Sequence, residues 1–125
     1  MKTFNLFENL EFSNDDENAH AEPLIVSDSG RVLRFTIRPG QTIPKADAPS
    51  SPMFFLVMKG QGIFTDASGR QQQFGPNTLV AYEPGESFEL KAGNEETVIV
   101  AFMRETEMAR RESARDDTTG SRMTS

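Results

Sequence analysis

Between Leu24 and Met103 the chain breaks into short apolar runs separated by turn residues, a texture that predicts strands rather than helices. LIVS (24–27) is followed by the turn sequence Asp28-Ser29-Gly30 and then by RVLRFTIR (31–38). In that second run Leu33, Phe35 and Ile37 alternate with Arg34, Thr36 and Arg38, the period of a half-buried strand. Pro39-Gly40 ends it, and residues 41–52, with three prolines, read as an ordered loop or a sheet edge. MFFLVM (53–58), IFT (63–65), QQQF (71–74), TLVAY (78–82), SFEL (87–90) and TVIVAFM (97–103) bring the expected total to about eight strands. Asp66-Ala67-Ser68-Gly69-Arg70 makes a hairpin connection, and no helix or internal repeat is expected in this region.

The ends have a different texture. Phe4, Phe7 and Leu10 fit one helical turn, while Phe4, Leu6, Leu10 and Phe12 equally fit an extended arm laid over a neighbouring sheet. SNDDENAHAE (13–22) reads as an exposed acidic loop. After Met103 apolar residues are scarce; Glu107 and Arg111 make a favourable helical pair, but the segment predicts a frayed turn or two and then disorder. The expected organisation is an arm and loop over 1–23, a barrel over 24–103 and a polar tail over 104–125.

MFFLVM and TVIVAFM are apolar on both faces, so both faces of their sheet should be covered. The covers available are a second sheet, the N-terminal arm or a second subunit, and a homodimer is the expectation. Hydrophobic residues make up only 36% of 125 residues but are concentrated enough for one core. The net charge of −6 opposes both phosphate backbones and anionic lipid, so neither nucleic acid nor membrane is an expected partner. With no cysteine there is no disulfide, thiolate nucleophile or Cys-ligated metal, and the plain expectation is a cytoplasmic protein.

Residues 39–62, PGQTIPKADAPSSPMFFLVMKGQG, resemble the cupin signature G(X)5HXH(X)3,4E(X)6G, with Gly40 and Gly60 at its ends. The histidine positions then fall on Ala46 and Ala48, and the glutamate on Met53. Residues 75–90, GPNTLVAYEPGESFEL, resemble the second signature, G(X)5PXG(X)2H(X)3N, around Pro84-Gly85, which sets Phe88 at the fourth ligand position. The opening glycine of that signature aligns with Asn77; Pro76-Asn77 suits a type II turn, because Asn tolerates positive φ. The chain is thus similar to small single-domain cupins of the type-2, conserved-barrel kind. The resemblance implies an all-β, antiparallel double-sheet jelly-roll barrel, often dimeric, with its metal ligands replaced.

With those ligands replaced, no metal and no other cofactor is expected. The lumen would be lined by Ala46, Ala48, Met53, Phe55, Phe88 and Leu90, with Arg34 and Tyr82 as polar contacts. Such a lumen is either a dry pocket for a small apolar or aromatic molecule or a core filled by Met53 and Phe88. Arg34 either clamps a carboxylate at the lumen mouth or faces solvent with Arg38. His20, the only histidine, lies in a polar segment and reads as solvated. Glu83 and Glu86 flank Pro84-Gly85 and form either a carboxylate pair for acid–base work or ordinary loop carboxylates. No GxSxG serine or phosphate-binding glycine loop is present. A metal-independent binding or sensory protein ranks first. An enzyme with atypical ligands or mouth carboxylates ranks second, and a degenerate barrel with an assembly role third.

Overall fold

The computed structural model describes residues 1–48 and 51–104; the turn expected around Glu107 and Arg111 lies outside the described residues. It contains nine strands: β1 (His20–Ser27), β2 (Gly30–Ile37), β3 (Thr42–Asp47), β4 (Met53–Lys59), β5 (Gly62–Thr65), β6 (Gln71–Phe74), β7 (Thr78–Tyr82), β8 (Ser87–Ala92) and β9 (Thr97–Met103). They form two antiparallel sheets, one ordered β1-β2-β9-β4-β7 and the other β3-β8-β5-β6. This is the expected all-β double-sheet architecture. Among the described residues no helix is long and apolar enough to cross a membrane.

Of the two forms open to the proline-bearing stretch, an ordered loop or a sheet edge, Thr42–Asp47 takes the edge, as β3. It lies at an edge, where Pro44 is tolerated, and its pairing with β8 breaks register between Ile43 and Ala46. β1 begins at His20, inside the expected loop, because Ala21 and Glu22 pair with Phe35 and Arg34 of β2 despite their low strand propensity.

Period-two alternation sorts the core. Met53, Phe55 and Val57 of β4 are buried, at 5%, 0% and 0% exposure, whereas Phe54, Leu56 and Met58 are half-buried on the opposite face. Ile99 and Ala101 of β9 join the buried cluster with Leu33, Phe35 and Ile37 of β2 and Leu90 of β8. The turn glycines meet backbone needs: Gly60 has φ +81, and a Cβ there would lie 2.5 Å from the Glu96 carbonyl oxygen. Asn77 has φ 69, in the left-handed region expected for it.

The outer face of the five-stranded sheet has its own cover over β2. Arg34, 4% exposed, donates from Nη1 to the carbonyls of Leu6 (3.3 Å) and Glu8 (3.0 Å). Its Nη2 reaches the Asn9 carbonyl (3.4 Å) and the Glu22 carboxylate (2.5 Å). The Thr36 hydroxyl donates to the Glu11 carbonyl, and Gln41 Nε2 to those of Ser13 (2.9 Å) and Asp15 (2.7 Å). The Arg38 guanidinium sits 5.5 Å from the centroid of Phe12. Of the two forms open to the N-terminal segment, the structure shows an arm fastened through its carbonyls. Val98 and Val100, in register with Thr36 and Arg34, are buried on this outer side at 0% and 1%.

Candidate functional site

The lumen between the two sheets is built from alternate positions of several strands. β4 contributes Met53 and Phe55, β8 Phe88 and Leu90, β7 Tyr82, and β5 Phe64, all at 5% exposure or less. Phe55 is the hub. Its centroid lies 5.3 Å from Phe88, 5.8 Å from Tyr82 and 5.9 Å from Phe64, each edge-to-face. Phe88 and Tyr82 are a further 5.3 Å pair. This geometry sets the positive edge of one ring against the negative face of another, about 0.5–1.5 kcal/mol per pair beyond simple burial. The deep part of the lumen is therefore packed aromatic core, and Phe88 sits within it.

The wall loosens at β3. Ala46 is in register with Phe88, and residues directly opposite in an antiparallel pair project to the same face. Phe88 is buried, yet Ala46 is exposed, so the inner surface meets solvent at this edge. Ala48, two residues on, is buried at 5%, and its N–H donates to the Glu86 carbonyl at 2.8 Å. Ser51, between Ala48 and Met53 in the chain, is 8% exposed, and its Oγ has no hydrogen-bond partner among the described residues. A buried hydroxyl left in this condition costs about 1–3 kcal/mol, which a ligand's polar atom would recover.

Tyr82 brings a polar group into the lumen. Its hydroxyl donates to the Thr65 carbonyl at 2.9 Å. Burial first, then the charges of Glu86 and Asp66, push its ionisation up to about 12, so it remains a neutral donor under ordinary conditions. The Asp66 carboxyl is held below its usual range, chiefly by the Ser68 hydroxyl and the Arg70 N–H, which tie the β5–β6 hairpin.

Other residues singled out by sequence lie elsewhere. Arg34 is at neither the lumen mouth nor the solvent surface: it is on the outer face of the five-stranded sheet, beneath the N-terminal arm. His20 pairs with Thr36 and so shares that outer face. The Glu86 carboxylate accepts the Glu83 N–H at 2.9 Å, and the Glu86 N–H returns to the Glu83 carbonyl at 3.0 Å. That reciprocal bonding closes the Pro84-Gly85 turn and engages one of the two Glu86 carboxylate oxygens. Phe64 belongs to the lumen but was not anticipated, and Ser51 is buried just ahead of β4. Phe64 was detectable as the position two after Gly62 in a short strand, whereas nothing in the sequence marks Ser51 as buried.

A cupin metal site would draw on the positions of Ala46, Ala48, Met53 and Phe88. These supply a single heteroatom, the weakly ligating Met53 thioether, and do not fit a divalent ion that needs three or four converging donors. Among the described residues no three His, Cys, Asp or Glu side chains come together.

No protein-family model matches the chain, and no curated protein matches it by sequence. Solved structures do resemble it. An RmlC-like cupin protein from Desulfovibrio desulfuricans superposes with a TM-score of 0.74 at 19% identity, over 85% of this chain and 99% of that one. An uncharacterised conserved protein with a double-stranded β-helix domain from Klebsiella pneumoniae gives 0.74 at 17%, over 82% and 88%. A predicted oxalate decarboxylase from Thermotoga maritima gives 0.64 at 17%, over 70% and 81%. At these identities the likeness establishes the fold: the chain has the cupin, RmlC-like double-stranded β-helix fold.

Proposed function

We propose that this cupin-fold chain is a metal-independent binding or sensory module that takes a small apolar or aromatic molecule at the β3 edge of its lumen. The observation that carries this is the contrast between Ala46 and Phe88. They face the same way across the β3–β8 pair, yet one is exposed and the other 5% exposed. A small residue at the rim over an aromatic floor leaves room for a ring or short aliphatic group to stack on Phe88 and displace water from apolar surface. Ala48 and Met53 extend that apolar surface, and the buried Ser51 hydroxyl, without a partner among the described residues, offers a polar contact that would orient a ligand.

The chain has one tyrosine and no tryptophan, so its intrinsic emission reports Tyr82 alone, in ring contact with Phe88. Titration with cyclohexane, toluene and cyclohexanol, none of which absorbs at the 280 nm excitation, should change that emission saturably for at least one of the three. Ala46→Phe, which fills an exposed rim position, should abolish the response while leaving the thermal midpoint unchanged. No saturable change with any probe, or undiminished binding in A46F, would overturn the proposal.

A further inference from the structure

The inner face of the five-stranded sheet carries a cation. Along β2 the alternation that buries Leu33, Phe35 and Ile37 also turns Arg31 inward. Strand register places it among its neighbours. Arg31 lies opposite Met103, Met103 opposite Met53, and Met53 opposite Tyr82, so the four side chains form one row across that face. Met53 and Tyr82 belong to the buried cluster, and Met103 packs against it. The row is level with the open edge of the lumen, because Tyr82 stands 5.3 Å from Phe88, the strand partner of Ala46. Two strand spacings, about 10 Å, separate the Arg31 and Met53 backbones, so one small molecule can touch both side chains.

The guanidinium is poorly served by the protein itself. Its Nε is buried and has no hydrogen-bond partner among the described residues. The ion pair of the nearby Arg34 with Glu22 lies on the opposite face of the sheet, and Arg31 forms none among the described residues. Along one side of an arginine, Nε–H and an Nη–H make a fork that fits a carboxylate through two parallel hydrogen bonds. A buried donor without a partner costs free energy, which such an acceptor restores.

We infer that Arg31 is the anion anchor of the lumen, and that the ligand is a monocarboxylate with an apolar or aromatic body. The carboxylate sits on the Arg31 fork, and the body lies on Phe88 beside Ala46. This rests on the lumen being a binding site, as proposed above, and names the class of molecule that it takes. A monoanion is favoured over a phosphate dianion, because one guanidinium balances one charge, and the thioethers of Met53 and Met103 supply no donor for a second. The net charge of −6 also disfavours a multiply charged ligand. Arg31 thus takes the role that the sequence offered to Arg34, three residues on and on the other face.

Calorimetric titration with cyclohexanecarboxylate and its neutral isostere, cyclohexanecarboxamide, tests this at neutral pH. The wild type should bind the carboxylate about tenfold or more tightly than the amide, the yield of charge-assisted hydrogen bonds. Arg31→Met should erase that preference with far-UV circular dichroism unchanged, and Arg31→Gln stands in if methionine disturbs the fold. Lys59→Met removes the same charge at an exposed position on the far end of β4 and should keep the preference. If the wild type binds both probes equally while toluene or cyclohexane still binds, this inference falls and the lumen reading stands. No binding of any probe would overturn both. A preference that survives R31M, or carboxylate binding that survives A46F, would place the anion outside the lumen and overturn the inference as well.

Discussion

Truncation of Phe88 measures how solid the deep lumen is. The ring is 5% exposed and stands 5.3 Å from both Phe55 and Tyr82. Phe→Ala in a core costs about 3–5 kcal/mol, from lost transfer energy plus the cavity left behind. Two aromatic pairs disappear with the ring, which places Phe88→Ala toward the upper part of that range, about 4–5 kcal/mol. For a chain of this size that corresponds to a thermal midpoint lower by roughly 10–20 °C. Against a usual total stability of about 5–15 kcal/mol the variant should still fold. The assay is urea unfolding followed by far-UV circular dichroism at one fixed protein concentration, since any self-association would make the midpoint depend on concentration. The midpoint should fall with the denaturant slope unchanged. A loss below about 1.5 kcal/mol would refute the reasoning, because it would mean that Phe88 packs against nothing it needs.

Three further expectations follow from the polar groups. Tyr82 should ionise at about 12 in the folded protein, against about 10 when unfolded. Between those values the folded state holds the extra proton, so stability is complete below about pH 10 and falls as pH rises toward 12. Phenolate absorbance of this single tyrosine gives both midpoints without interference, and a native midpoint near 10 would contradict its burial. Arg34→Ala should free the arm, making residues 5–17 sensitive to limited proteolysis and costing roughly 2–4 kcal/mol as its charge-assisted bonds are lost. Glu22→Gln should cost under about 1 kcal/mol, because the Glu22 side chain is 41% exposed. Equal protease resistance of wild type and R34A would remove the arm's dependence on Arg34.

The inner and outer sets of β2 and β4 were legible from alternation alone, because each apolar side chain must choose a face. The turn residues Gly60 and Asn77 were legible too, since positive φ restricts residue type. β3 was hidden by Pro44 and Lys45, which suit an edge strand and a loop equally. The place of Arg34 was hidden for another reason. Its partners are main-chain carbonyls of Leu6, Glu8 and Asn9, groups that every residue carries and no sequence pattern marks. The exposure of Ala46 beside buried Phe88 depends on β3 ending its sheet, a property of topology. The two-sided apolar character of β4 and β9 did signal that the outer face needs a cover. Only the structure divides that face into the part under the arm and the part beside β7.

Metal content after loading tests the metal-independent lumen most directly. The purified full chain would be incubated with iron, manganese, nickel and zinc in turn, freed of unbound ions and assayed by elemental analysis. With Ala46, Ala48, Met53 and Phe88 at the ligand positions, the expected result is trace, substoichiometric metal in every case. A stoichiometric ion that survives dialysis would contradict it, and would mean that oxygen or nitrogen donors elsewhere in the chain converge on a site.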